Sequence, residues 1–419
     1  MISIKLWITL IYLQFYIYGV EENETIINID ETIERVRSQY RYKNPLLLHS
    51  KFVIPIIRKR NYDVKVQPLF YANKTLNVKM GVQIMSISNF QLDTMDFNMD
   101  VWFRLAWYDP RLTHDLGLPI LINDYHVLKQ IWKPDPFILN GRDAEFHLVS
   151  YQHSYAILFE DGVVFYEVHV KATPACQLVL CKYPHDSQQC SLKISSIAYN
   201  NNSLLLTWFN KASEAVKVDE NVQLPDFYLK SHIFSECDGT RKTGNYSCIE
   251  VKFNLKRNLG YHIAQTYIPV AMCVIFSWIS VWLPEEFVEG RIFVALTVFL
   301  TLSAESTSAK EILPRVGYIK AIDIWFGILC SFVFMTVIQA IVVITLEFSS
   351  RALRNKLLST HTYHDNQHRH KLARKCVLYH RMALKLDVIC RVAYPVIFLI
   401  FLFIYFFIVI EGKDNKCLI

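Results

Sequence analysis

Thr297, Thr301 and Ser303 stand in an otherwise apolar stretch, residues 292–304. A hydroxyl turned to lipid gains nothing, whereas hydroxyls around a water-filled conduit replace the hydration water of a passing ion. Phe293, Thr297, Leu300 and Ala304 recur at three- and four-residue spacing and so share one helix face. That face mixes one hydroxyl with apolar side chains, the make-up of a pore with a hydrophobic constriction. A buried packing helix would show the same spacing. Cysteines are the second chemical group. Cys176, Cys181, Cys190, Cys237 and Cys248 fall in one half of the chain, and an odd count leaves at least one unpaired or bridging to another chain. Counting does not assign the bonds. Cys176 with Cys190 would enclose a compact loop, and Cys237 with Cys248 would stiffen the tip of a Gly-containing hairpin. No Gly-rich phosphate loop, nucleophile elbow or HExxH pair occurs, so the chain does not read as an enzyme. His364, His368 and His370 lack a cysteine or carboxylate cluster at ligand spacing, and neither a metal nor a cofactor is expected.

The elements that must position these residues divide the chain in two. Of its 419 residues 52% are hydrophobic and only 20% charged, and the apolar share is concentrated beyond Gly260. Four runs there approach the roughly 20 residues that span a bilayer: about 261–283, 291–308, 321–346 and 390–411. The first carries Pro269, which a membrane bundle tolerates. A transporter would need charged or broken helices at mid-membrane, which the third and fourth runs lack. Much of the net charge of +6 lies between Arg351 and Lys385, so 349–387 reads as a short cytoplasmic loop by the positive-inside rule and not as a nucleic-acid surface. Its Lys and Arg are candidates for contact with anionic lipid headgroups. Residues 1–20 read as a signal peptide, 21–258 as an extracellular domain, 259–412 as the membrane domain and 413–419 as an extracellular tail. Sequons at Asn23, Asn73, Asn201 and Asn245 all precede the apolar half. Within 50–258, short Val-, Ile-, Phe- and Tyr-rich runs alternate over 164–171 and 249–255 and are cut by turn signals such as Glu160-Asp-Gly. This predicts a β-sandwich ahead of a four-helix membrane bundle, with a short helix near 31–41.

Several motifs then match a known pattern in order. Thirteen residues lie between Cys176 and Cys190, and Tyr183-Pro-His-Asp-Ser-Gln-Gln precedes the second. Trp132-Lys-Pro-Asp-Pro-Phe, Tyr261-His-Ile-Ala-Gln-Thr-Tyr-Ile-Pro and Leu313-Pro-Arg-Val-Gly-Tyr-Ile-Lys follow the same scheme. Over residues 50 to 412 the chain resembles the Cys-loop, or pentameric ligand-gated, ion channel family, most closely its glycine-, glutamate- and GABA-gated branch. His185 replaces the usual bulky apolar residue, and Cys181 is an addition. The resemblance implies disulfides Cys176–Cys190 and Cys237–Cys248. It also implies a pentamer with sister subunits, a small-molecule neurotransmitter bound between ectodomains, and a plasma-membrane, including postsynaptic, location.

By the same resemblance Phe137, Ser196, Thr243 and Tyr246 belong to the ligand cage, and Arg104 matches an arginine that grips a ligand carboxylate. Ile197 stands where an aromatic is expected after Ser196, and Arg241 takes the place of a second aromatic. Loss of a ring forfeits about 0.5–2 kcal/mol of cation–π attraction, whereas two arginines favour an acidic ligand. A subunit supplying only the complementary face of a heteromer is the alternative. Glu289, Gly290 and Arg291 align with the inner mouth of the pore, and Leu300 with its mid-pore leucine. The Trp282–Arg291 spacing is of the anion-selective type, but a ring of Glu289 favours cations; bulky Phe293 narrows the next level. A non-conducting accessory or adhesion subunit is the rival outside the channel class. For gating, the loop closed by Cys176 and Cys190 is expected to press on residues 314–320, with Asp186 meeting Arg315 or Lys320.

Overall fold

The computed structural model describes residues 28–40, 47–219, 222, 224–284, 287–311, 313–359 and 366–410. The expected signal peptide, Asn23, His364 and the C-terminal tail lie outside them. Alternating side chains build the two longest strands. In β1 (Leu76–Gln91) Val78, Met80, Val82 and Ile84 turn inward. In β2 (Asp96–Tyr108) Phe97, Met99, Val101, Phe103, Leu105 and Trp107 do so. A period of two puts each set on one face of a pleated strand. Each large apolar side chain removed from water contributes about 1.5–3 kcal/mol, which fixes the register against a one-residue slip.

Two sheets result. The larger runs β10 (Val216–Val218), β1, β2, β7 (Val163–Pro174), β6 (Ser154–Leu158) and β3 (Ile120–Ile122), with β9 (Leu204–Trp208) also paired to β1 and β5 (Gly141–Phe146) to β7. The smaller runs β11 (Phe227–Glu236), β14 (Cys248–Arg257), β8 (Ser187–Ser196) and β4 (Pro136–Ile138). Their inner faces form one core that includes Trp107, Trp132, Phe227, Ile249 and Phe253. β7 departs from the expected alternation: residues 163–170 are all buried. Helix α1 (Ile29–Tyr40) covers one end of the outer side, its Ile29 and Ile33 packing with Val163 and Phe165; farther along, Arg104 and Tyr155 close over Glu167, and Trp102 and His147 stack on His169. The β6–β7 turn needs Gly162, at φ 82°, where a Cβ would sit 2.6 Å from the Asp109 carbonyl oxygen.

Among the described residues, four helices long and apolar enough to cross a membrane follow: α2 (Gly260–Trp282), α3 (Val288–Glu311), α4 (Ala321–Ser359) and α5 (Asn366–Ile404). Inside α2, Ile263–Tyr267 forms a π-turn just before Pro269; the wider turn absorbs the missing proline N–H and the clash with the carbonyl four residues back. Tyr267 of α2 bonds Tyr405, which follows α5, through their hydroxyls at 2.9 Å, and the Tyr405 hydroxyl also donates to the Ala321 carbonyl of α4. Trp325 of α4 packs on both rings. Helix reaches into the segment 349–387 from both sides: α4 runs to Ser359 and α5 begins at Asn366. Arg, Lys, Leu and Ala are good helix formers, so the helices continue past the point where the apolar pattern stops.

Candidate functional site

Strand pairing builds the first cluster. β4 pairs with β8 so that Phe137 lies opposite Ser195 and Pro136 opposite Ser196. Asp135 fixes the end of β8: it accepts from the Ser196 hydroxyl at 2.7 Å and from the Ala198 N–H at 2.7 Å. Over this edge folds the loop closed by the Cys237–Cys248 disulfide, with a two-rung hairpin of β12 (Thr240–Arg241) and β13 (Gly244–Asn245). Gly239 is required at its base, because a Cβ there would overlap the Tyr246 carbonyl oxygen. The Thr243 and Tyr246 hydroxyls are 2.9 Å apart. Arg241 reaches back to Ser195, Ser196 and Ile197 and lies over the rings of Phe137 and Tyr246. One chain therefore gathers Phe137, Ser196, Arg241, Thr243 and Tyr246.

Arg104 is not among them. It lies on β2 in the other sheet, opposite Glu167 on β7, and donates from Nε to that carboxylate at 2.9 Å. Its Nη2 donates to Gln83, and the Tyr155 hydroxyl donates to the second Glu167 oxygen. The charge of Arg104 is thus matched within its own chain, and a single subunit does not bring it to Arg241.

The loop closed by Cys176 and Cys190 meets the membrane helices elsewhere than expected. Asp186 does not pair with Arg315 or Lys320. It forms a fork with Arg257 on β14, at 2.7 and 3.1 Å, and both side chains are at most 4% exposed. A buried carboxylate requires a matched donor, and Arg257 is reached through the adjacent pairing of β8 and β14, which places Ser187 opposite Lys256. Arg315 is exposed, and Lys320 lies 3.8 Å from Asp323. Contact with the link before α4 is made by backbone: the Leu180 N–H donates to the Tyr318 hydroxyl at 3.0 Å, and the Ala321 N–H donates to the Cys181 carbonyl at 2.8 Å. His185 wedges between Tyr267 and Phe406, its Nε2 without a partner among the described residues. Burial pushes its imidazole below the ordinary value and pushes the Tyr183 phenol up to about 12.

On α3, Arg291, Ala295, Val298 and Leu302 are buried against the neighbouring helices. Glu289, Phe293, Leu300, Thr301, Ser303 and Ala304 are exposed, with Thr297 half-buried. Arg291 is therefore corrected as a pore-face residue. Its guanidinium is 1% exposed, 2.8 Å from Asp387 of α5, and also donates to the Leu283 carbonyl. An ion that must shed water to enter a bundle needs such a partner.

Two family descriptions match this architecture. The neurotransmitter-gated ion-channel ligand binding domain matches residues 53–259, and the neurotransmitter-gated ion-channel transmembrane region matches residues 266–365. The chain belongs to the neurotransmitter-gated ion-channel family. It is also similar to the glycine receptor subunit beta-type 4 of Caenorhabditis elegans, 35% identical over 286 residues; the match covers 68% of this chain and 60% of that relative. The ligand-binding fold and four spanning helices make this family member a multi-pass plasma-membrane protein.

In this channel-family chain, sequence reasoning missed two features. Cys181 is itself disulfide-bonded, so the odd cysteine count leaves no free thiol in the ligand-binding domain. His147, His153 and His169 converge, their ring nitrogens all within 4.8 Å, the one group of metal-ligand type among the described residues. Trp102 stacks on His169, whose Nε2 stands 2.7 Å from Asp100, and burial with the neighbouring imidazoles lowers the His147 pKa. Three imidazoles beside a carboxylate suit a divalent transition metal. Only the pairing of β5 and β6 with β7 gathers them; the single local signal was the close spacing of His147 and His153. Asn73, Asn201 and Asn245 are exposed.

Proposed function

We propose that this chain is one subunit of a pentameric channel in which a small-molecule neurotransmitter, bound between neighbouring ectodomains, opens a central pore lined by α3. The reading is carried by the two-faced character of α3. One stripe is packed and holds the inward-turned Arg291, while the opposite stripe leaves Glu289, Thr301 and Ser303 exposed beside Phe293 and Leu300, 69% and 67% exposed. Carboxylate and hydroxyls are costly against lipid but useful against water and ions. Sister chains would complete the enclosure. Phe137, Ser196, Arg241, Thr243 and Tyr246 would form the principal face of the ligand site, with Arg104 of the next chain opposite.

Burial of Arg291 also bears on selectivity. Its charge is matched by Asp387, so the exposed Glu289 would dominate the inner mouth and favour cations. The Trp282–Arg291 spacing and the similarity to a glycine receptor subunit support a second reading, chloride conduction. Voltage clamp of cells expressing the subunit, alone or with a sister subunit, tests both. Ligand-evoked current with a reversal potential that follows sodium is expected. A potential that follows chloride selects the second reading, and cysteines along α3 that stay shielded from aqueous reagent under maximal agonist would remove the pore assignment.

A further inference from the structure

The pocket between β4, β8 and the capping hairpin has the make-up of a cation site, and the chain fills it with its own side chain. Arg241 Cζ lies 4.9 Å from the Phe137 ring and 4.3 Å from the Tyr246 ring, within the range in which ring quadrupoles attract a cation. Its Nη2 donates to the Ser195 hydroxyl at 2.7 Å and to the Ser196 carbonyl at 2.9 Å, and its Nη1 to the Ile197 carbonyl at 3.3 Å. Two ring faces, two carbonyls and a hydroxyl are the groups that would hold a ligand ammonium. Asp135, the nearby carboxylate, is spent on Ser196 and Ala198. Among the described residues no acid forms an ion pair with Arg241, so its guanidinium has no direct carboxylate partner in the pocket.

We infer that Arg241 acts as a built-in cation: it occupies the amine position, latches the capping loop onto β8, and makes this face selective for a carboxylate-bearing ligand that needs no ammonium group. A tethered group competes at an effective concentration in the millimolar range, so a diffusing amine must displace it before gaining any contact. An anion faces no such competition. Nε and the second Nη1 hydrogen remain available to a carboxylate, which forms charge-assisted bonds with a guanidinium. Ile197, 59% exposed in place of the aromatic expected there, leaves an approach to that side of the guanidinium. The inference rests on the transmitter-site reading given above, yet its physical core can be tested without any current.

The test uses the full-length receptor purified in lipid nanodiscs, as wild type and as Arg241→Gln. Hydrogen exchange is followed over residues 237–248, and binding of choline and of succinate is measured by calorimetry. The wild type should bind succinate and show no binding of choline. In Arg241→Gln the capping-loop amides should exchange at least about tenfold faster, choline binding should appear, and succinate should weaken by about tenfold, the loss of one charged contact. Unchanged exchange overturns the latch. Choline bound equally by both forms overturns the occupied cation position, and succinate that fails to bind the wild type overturns the ligand class. Should the variant not fold, the wild-type preference between the two probes still decides. A failure of the channel reading looks different: no current under voltage clamp from any form, with the exchange and binding results intact.

Discussion

Replacing Asp186 by Asn strips the charge from the carboxylate fork that holds Arg257. Both side chains are at most 4% exposed, and the two bonds measure 2.7 and 3.1 Å. The guanidinium would remain between Tyr183 and Phe227, whose rings lie 4.7 and 4.3 Å away. Each ring contributes about 0.5–2 kcal/mol, and both contributions are already present in the wild type. Losing one partner of a buried pair costs about 3–5 kcal/mol, most of it the uncompensated charge left behind. At about 2–4 °C per kcal/mol for a domain of this size, the ligand-binding domain of Asp186→Asn should melt about 6–20 °C lower. Fluorescence-detected thermal unfolding of the solubilised receptor measures this. Asp186→Asn with Arg257→Gln should recover a substantial part of the loss, since neither charge is then stranded. A single variant that melts within about 1 °C of wild type, or a double variant less stable than either single one, would refute the argument that burial makes this pair indispensable.

Three further outcomes are expected. Glu289→Gln should move the reversal potential toward chloride, read under sodium and chloride replacement, because it removes the exposed carboxylates of the inner mouth; an unmoved potential places selectivity elsewhere. Leu300→Ser should raise the resting current in the absence of agonist, as a hydroxyl wets a constriction that a leucine ring keeps dry, and an unchanged holding current would count against Leu300 as a gate. Acidification should destabilise the domain through His185, whose folded pKa lies below the ordinary 6.5. The unfolded chain takes up the proton first, so this stability is present above pH 6.5 and lost as pH falls below it. The drop in melting temperature between pH 7 and pH 5 should be smaller in His185→Phe than in wild type.

The large features were legible because they follow from local period and length. Four long apolar runs gave four helices, and the alternation over 249–255 lies in β14 of the sandwich. Legibility failed where a side chain's role depends on a partner far along the chain. Arg291 aligned with a pore mouth, yet Asp387, 96 residues on, turns it into the bundle. Asp186 drew attention to the basic residues of 314–320, but Arg257 arrives first through sheet pairing. The burial of β7 on both faces depends on α1 over Val163 and Phe165 and on Arg104, Tyr155, Trp102 and His147 over Glu167 and His169, which no pattern within β7 announces. Arg241 was visible as an anomaly of residue type; that it folds back onto Ser195, Ser196 and Ile197 required the hairpin geometry.

The length of α4 and α5 limits where their basic residues act. Each has 39 residues, about 58 Å of helix at 1.5 Å per residue, against some 30 Å of hydrocarbon. Roughly 28 Å of each therefore extends past the hydrocarbon, while lipid charge is screened within about 10 Å. Arg351, Arg381 and Lys385 remain close enough to feel headgroups. Arg369, Lys371, Arg374 and Lys375 are carried out by the rods into bulk electrolyte, where anionic lipid exerts almost no pull.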